Sequence, residues 1–302
     1  MVIRENPRFF SLFCAVRYSI IPKITSSVLI VIFFTLFIIW FDQKVHSIVH
    51  ISLSSMGIFG VALSLFLGFR NNAAYDRWWE ARKLWGQITT DMRTLSRDLV
   101  LYLSNDAAKR EILCLGIAFI YFHQENLRKT QNQISNLSRW IDEETLEEFK
   151  KSSSPCCEIL NKIAKKLRSC YEKGDIDGFG MRQLSERLWS ISEAQVGCER
   201  IAQTPLPFVY SLLVLRTTFF YCLLVPFALI DSAGWLAPVF SGVTAYVFFG
   251  LAEVTNELEQ PFNPRNNGLP LNAIVRNIEI ALMIGLGEEP PKRLLPVDSV
   301  LM

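Results

Sequence analysis

Histidine is scarce: His46, His50 and His123 are the only 3 in 302 residues. A zinc centre or a hydrolytic site draws on such residues, either as a His pair one helical turn apart beside an acid or as three or four converging ligands. Only His46 and His50 have that spacing, and their short polar loop makes them solvated interface residues by expectation. The 7 cysteines (Cys14, Cys114, Cys156, Cys157, Cys170, Cys198, Cys222) contain no C-x-x-C pair and are odd in number. They read as reduced packing residues. A net charge of +2, with no basic stretch interleaved with aromatics, argues against nucleic acid. Strand alternation, internal repeats and low-complexity tracts are absent too. The Gly285–Gly287 stretch, Gly-Leu-Gly, lacks the rest of a phosphate-cradling loop and reads as a helix stop. No nucleophile, base and stabiliser converge, so neither an enzyme nor a cofactor nor a metal is expected.

What the chain has is apolar sequence, 50% of its residues, and it is bunched. Charge-free runs cover Ile24 to Phe41, Ile51 to Phe69 and Ala233 to Ala252. Each is close to the roughly 20 residues that cross a hydrocarbon core of about 30 Å. A fourth run, Thr204 to Ile230, is interrupted by Arg216 and by Pro205, Pro207 and Pro226. Arg4, Arg8, Arg17 and Lys23 precede the first run, which is therefore not placed as a cleaved signal peptide. Arg70, Arg77, Arg82 and Lys83 follow the second run, whereas the loops Asp42 to His50 and Asp231 to Ser232 carry only Lys44. Positive residues stay on the cytoplasmic side, so four transmembrane helices with both termini cytoplasmic are predicted. Trp40 and Trp235 then meet the same outer interface.

The polar stretch from Arg70 to about Gln203 is too long for a loop. Its apolar residues recur at helical spacing, with breaks predicted at Ser104–Asp106, Arg128–Ser138, Lys151–Pro155 and Lys173–Gly178. The fold class is all-α: residues 1–69 with the first two spans, a cytoplasmic helical domain over 70–203, the third and fourth spans over 204–256, and a cytoplasmic helix (Leu271 to Leu286) and tail over 257–302.

On the second span Gly60, Ser64 and Gly68 form a small-residue strip where another helix can approach. Val61, Leu65 and Phe69 form an apolar strip about 100° away, which on periodicity alone could face lipid or the bundle core. Arg216 is a charge inside the third span, with Glu253 and Glu257 as candidate partners. Pro205-Leu206-Pro207 cannot be regular helix, and either starts a helix or lines water.

Three segments carry a resemblance. FLGFRNNAAYDRWWEAR (Phe66 to Arg82), CERIAQTPLPFVY (Cys198 to Tyr210) and ELEQPF (Glu257 to Phe262) resemble, in order and spacing, the bestrophin family and its bacterial members above all. The resemblance implies a homopentameric ion channel in the lipid bilayer with one central pore. Val61, Leu65 and Phe69 match the positions of its hydrophobic neck, and Leu206 matches a second, cytoplasmic constriction. Stacked apolar rings can gate by dewetting. Bacterial members are regarded as passing monovalent cations such as sodium and animal members as passing anions; the neutral neck cannot choose a sign by charge. Pro261 to Gly268 nearly lacks the acids with which animal members clasp calcium, so no calcium activation is expected there. The alternatives are an anion channel of the same architecture, a secondary transporter, for which matching inverted halves are missing, and a membrane enzyme, for which Asp76, Arg77, Glu199 and Arg200 are the best reactive set.

Overall fold

A computed structural model describes residues 1–2, 15–45, 51–129 and 134–301, with the backbone alone at 135 and 136. His46, His50, Cys14, Arg4 and Arg8 lie outside the described residues. In chain order the elements are α1 (Ile21–Val45), α2 (Leu53–Tyr102), α3 (Asp106–Arg128), a 3-10 turn (Ile134–Arg139), α4 (Glu143–Lys151), α5 (Pro155–Glu172), α6 (Gly178–Gln203), α7 (Phe208–Ala233), a 3-10 turn (Gly234–Leu236), α8 (Ala237–Leu258) and α9 (Leu271–Gly285). The all-α class is borne out.

Local chemistry sets these boundaries. Asn105, Asp142 and Asp177 each accept a hydrogen bond from the backbone N–H three residues on, which caps α3, α4 and α6. Pro155 opens α5, where its missing N–H is not needed. Gly287 takes a positive φ of 71° just past α9, so the Gly-Leu-Gly stretch is indeed a helix stop. One boundary differs from a reading by polarity. α2 does not stop where its apolar run ends at Phe69; it contains no proline and continues unbroken to Tyr102, 50 residues in all.

The chain divides into two compact units. One comprises Trp79–Thr204 and Phe262–Met302, with the first residues of the chain. Its core is built on Trp85, Phe119 and Phe149, all fully buried. Arg187 of α6 bridges two buried carboxylates of α2, Asp91 at 2.7 Å and Asp98 at 3.3 Å. Such a triad fixes how two helices meet rather than adding much net stability.

The other unit runs up to Trp78 and again over Pro205–Pro261. Among the described residues three stretches are long and apolar enough to cross a membrane: Ile21–Val45, Leu53–Tyr102, which begins in this unit, and Phe208–Leu258. The turn at Gly234–Leu236 divides the third into α7 and α8, which fold back on each other with the Tyr221 and Phe248 rings 5.1 Å apart. α1 and α8 are antiparallel. A Cβ at Gly242 would come within 2.9 Å of Ile32, and one at Gly250 within 3.1 Å of Ile20. This register brings Trp40 and Trp235 to the same end, both exposed, as a shared interface requires. Gly242→Val overfills the α1–α8 contact and is expected to remove about 1–3 kcal/mol, read as a lowered thermal midpoint in detergent.

Candidate pore-lining site

α2 has two sides. Met56 and, two turns on, Leu63, Leu67, Arg70 and Ala74 at steps of three or four residues are buried, Leu63 and Leu67 among Val214, Tyr221, Val225 and Ala252 of α7 and α8. Turned away from that contact, Val61, Leu65 and Phe69 are 70%, 56% and 57% exposed. The structure therefore puts all three on one bare apolar strip, with Ile58 and Phe66 beside it. The small-residue strip is split. A Cβ at Gly60 would collide with the Tyr221 hydroxyl, so this glycine admits α7, whereas a Cβ at Gly68 would meet nothing within 4 Å among the described residues.

Past Phe69 the same face turns polar. At 100° per residue Asp76 falls between Leu65 and Phe69 on the helical wheel. It is exposed, and among the described residues no side chain pairs with it. Lys83, exposed two turns further along α2, is the first cation on this face.

Leu206 is half-buried at a bend in the Pro-Leu-Pro segment between α6 and α7. Proline lacks an N–H, so Leu206 carries the segment's single donor. That N–H donates to Glu259 Oε1 at 3.2 Å. The other Glu259 oxygen accepts from the Arg70 guanidinium at 3.4 Å, and Arg70 also donates to Asn256 Oδ1 at 3.0 Å. Arg77 Nε donates to the Glu259 carbonyl at 2.9 Å, and the Tyr210 hydroxyl to the Phe66 carbonyl at 3.2 Å. These contacts tie together the middle of α2, the end of α8 and the Pro-Leu-Pro segment. Sequence reading singled out Arg70 and Arg77 only as positive flanks, and Arg77 in a reactive set, and passed over Tyr210 and Glu259, although each lies within one of the three quoted segments.

Arg216 is a correction. Glu253 and Glu257 do not pair with it; they accept from Lys23 of α1, at 2.7 and 2.5 Å. One lysine near the start of α1 thus reaches both carboxylates, which lie near the end of α8. Arg216 is exposed on α7 and has no partner among the described residues.

Comparison with known proteins agrees with this architecture. The model of the bacterial and fungal bestrophin proteins matches residues 1–283. A Mesorhizobium japonicum protein named as a voltage-dependent anion channel-forming protein is 40% identical over 305 residues, covering 99% of this chain and 96% of that one. The Escherichia coli K12 protein named YneE, likewise a voltage-dependent anion channel-forming protein, is 37% identical and covers 98% of both chains. The crystal structure of a bestrophin homolog from Klebsiella pneumoniae superposes with a TM-score of 0.82 at 34% identity, over 90% of this chain and all of that one. The exposed apolar strip, the proline-bounded Leu206 and the Glu259 contacts thus sit in a chain that belongs to the bestrophin family of bacteria and fungi.

Proposed function

We propose that the chain is the pore-forming subunit of a homopentameric ion channel of the inner membrane, with four crossings and both termini cytoplasmic. The observation that carries this reading is the bare strip of Val61, Leu65 and Phe69 opposite the packed side of α2. Around a symmetry axis these side chains stack as three apolar rings, and a dry neck of this kind holds ions back until it widens or wets. Leu206, steadied through its N–H by Glu259, forms the second constriction. Relatives named as channel-forming proteins support the same assignment over an enzyme. Purified protein in a planar bilayer is expected to pass current; intact pentamers silent in every salt would refute it.

The permeant ion is proposed to be a small monovalent cation. Asp76 is the first ionised side chain beyond Phe69 on the pore-facing strip, and a ring of carboxylates there concentrates cations. An anion pathway is the second reading, favoured by the names of the relatives and by Lys83 further along the same face. In asymmetric sodium chloride the reversal potential is expected near the sodium potential, and Asp76→Asn moves it toward zero. A wild-type reversal at the chloride potential overturns the cation assignment.

A further inference from the structure

His123, in the unit formed around Trp79–Thr204, is fully buried, and neither ring nitrogen has a hydrogen-bond partner. The ring is held in place: it stacks on Phe119, one turn earlier in α3, at 5.7 Å and 14°, and lies 5.2 Å from the Trp85 ring. An imidazole needs at least one partner for its N–H, and a buried polar group without one is costly. Evolution rarely leaves such a group unexplained in a closed core.

Two other donors meet it there. Cys156, at the start of α5, is 1% exposed, and Glu199 of α6 is half-buried. One atom from each of His123, Cys156 and Glu199 lies within 4.8 Å of the other two. Tetrahedral zinc holds nitrogen, sulfur and oxygen ligands about 3.3–3.7 Å from one another, so closing the set needs movements of about 1 Å. No Lys or Arg pairs with Glu199 among the described residues; its Oε1 accepts only amide N–H groups, from Gln195 at 3.0 Å and Asn126 at 3.3 Å. These amides orient the carboxylate as second-layer contacts orient metal ligands.

We infer that His123, Cys156 and Glu199 form a binding site for a divalent transition metal of the zinc type, with a fourth position left for water. The donor set decides the class. A thiol and an imidazole are poor ligands for magnesium or calcium, which take oxygen, and suit zinc or cobalt. Burial already keeps His123 neutral, with its pKa pushed down to about 3, and pushes the Cys156 thiol up. Binding therefore forms a sulfur–metal bond as the thiol proton leaves to solvent. A thiol–imidazole pair for covalent chemistry needs an open side for substrate, and these two side chains have none. The half-buried Glu199 marks the side from which an ion enters. The metal would pin α3, α5 and α6 together, far from the apolar strip in sequence.

Cobalt(II) tests this on the intact, detergent-purified protein after treatment with a chelator. The wild type is expected to take up one cobalt per chain, with tetrahedral visible bands and a near-ultraviolet thiolate-to-cobalt charge-transfer band. Cys156→Ser removes the charge-transfer band, and Cys170→Ser, a buried cysteine outside the set, keeps it. Gln195→Ala retains the band with cobalt affinity about 10–100-fold weaker, as loss of a second-layer contact predicts. A wild type that stays folded by circular dichroism without the charge-transfer band overturns the site, as does a band that survives in Cys156→Ser. Should Cys156→Ser fail to fold, protection of the wild-type thiol from alkylation by zinc decides: an unchanged alkylation rate at Cys156 rejects the site.

Discussion

Leu65→Ala combined with Phe69→Ala raises the bilayer current by about tenfold or more, the change produced by lowering a barrier by about 1.4 kcal/mol. Water leaves a narrow apolar passage because its wall offers no hydrogen bonds, and an ion cannot follow without its water. Shortening two successive rings widens the neck and removes much of its apolar wall. The fold should tolerate the change, because both side chains are exposed and contribute little to packing within the chain. Leu63 provides the comparison on the same helix. It is 2% exposed, so Leu63→Ala is expected to destabilise by about 2–5 kcal/mol without the same gain in current. Wild-type current from an intact Leu65→Ala, Phe69→Ala assembly rejects the neck assignment.

Arg70→Ala is expected to destabilise the unit by about 3–5 kcal/mol, measured as a lowered thermal midpoint or a shifted denaturant midpoint. The Arg70 side chain is 4% exposed and that of Glu259 14%, so the change strands a poorly solvated carboxylate. The reverse substitution, Glu259→Ala, strands the guanidinium and also releases the Leu206 N–H. It therefore alters stability and conduction together, whereas Arg70→Ala leaves the Leu206 contact in place. A loss within about 0.5 kcal/mol for Arg70→Ala, the range of ordinary surface changes, shows that the network does not hold these segments.

Several helix boundaries were legible because caps and breakers act over three or four residues. Asn105, Pro155 and Asp177 each lie in a break read from the sequence, whereas the Asp142 cap and the continuation of α2 past Phe69 were not read. Contacts between helices were less so. The spacing of Glu253 and Glu257 places both carboxylates on one face but is silent about which helix lies across from them; Lys23, far away in sequence, claims both. For the same reason Gly60 and Gly68 look alike in sequence, although among the described residues Gly60, and not Gly68, meets a neighbouring helix. Val61, Leu65 and Phe69 could be read as a strip from periodicity, and the structure leaves that strip uncovered. The convergence of His123, Cys156 and Glu199 could not be read at all, since the three sit on separate helices with no local spacing to mark them.

The make-up of α2 limits how the proposed neck can open. From Leu53 through Phe69 the helix has no proline, the strongest local cause of a kink. Such a segment tilts or turns more readily than it folds aside. A turn of roughly 100° would exchange Val61, Leu65 and Phe69 at the axis for the side bearing Gly57, Ser64 and Gly68, replacing bulky carbon with backbone and hydroxyl. Leu63 and Leu67, anchored among α7 and α8, resist that turn like a detent that must be overcome before the neck can change its lining.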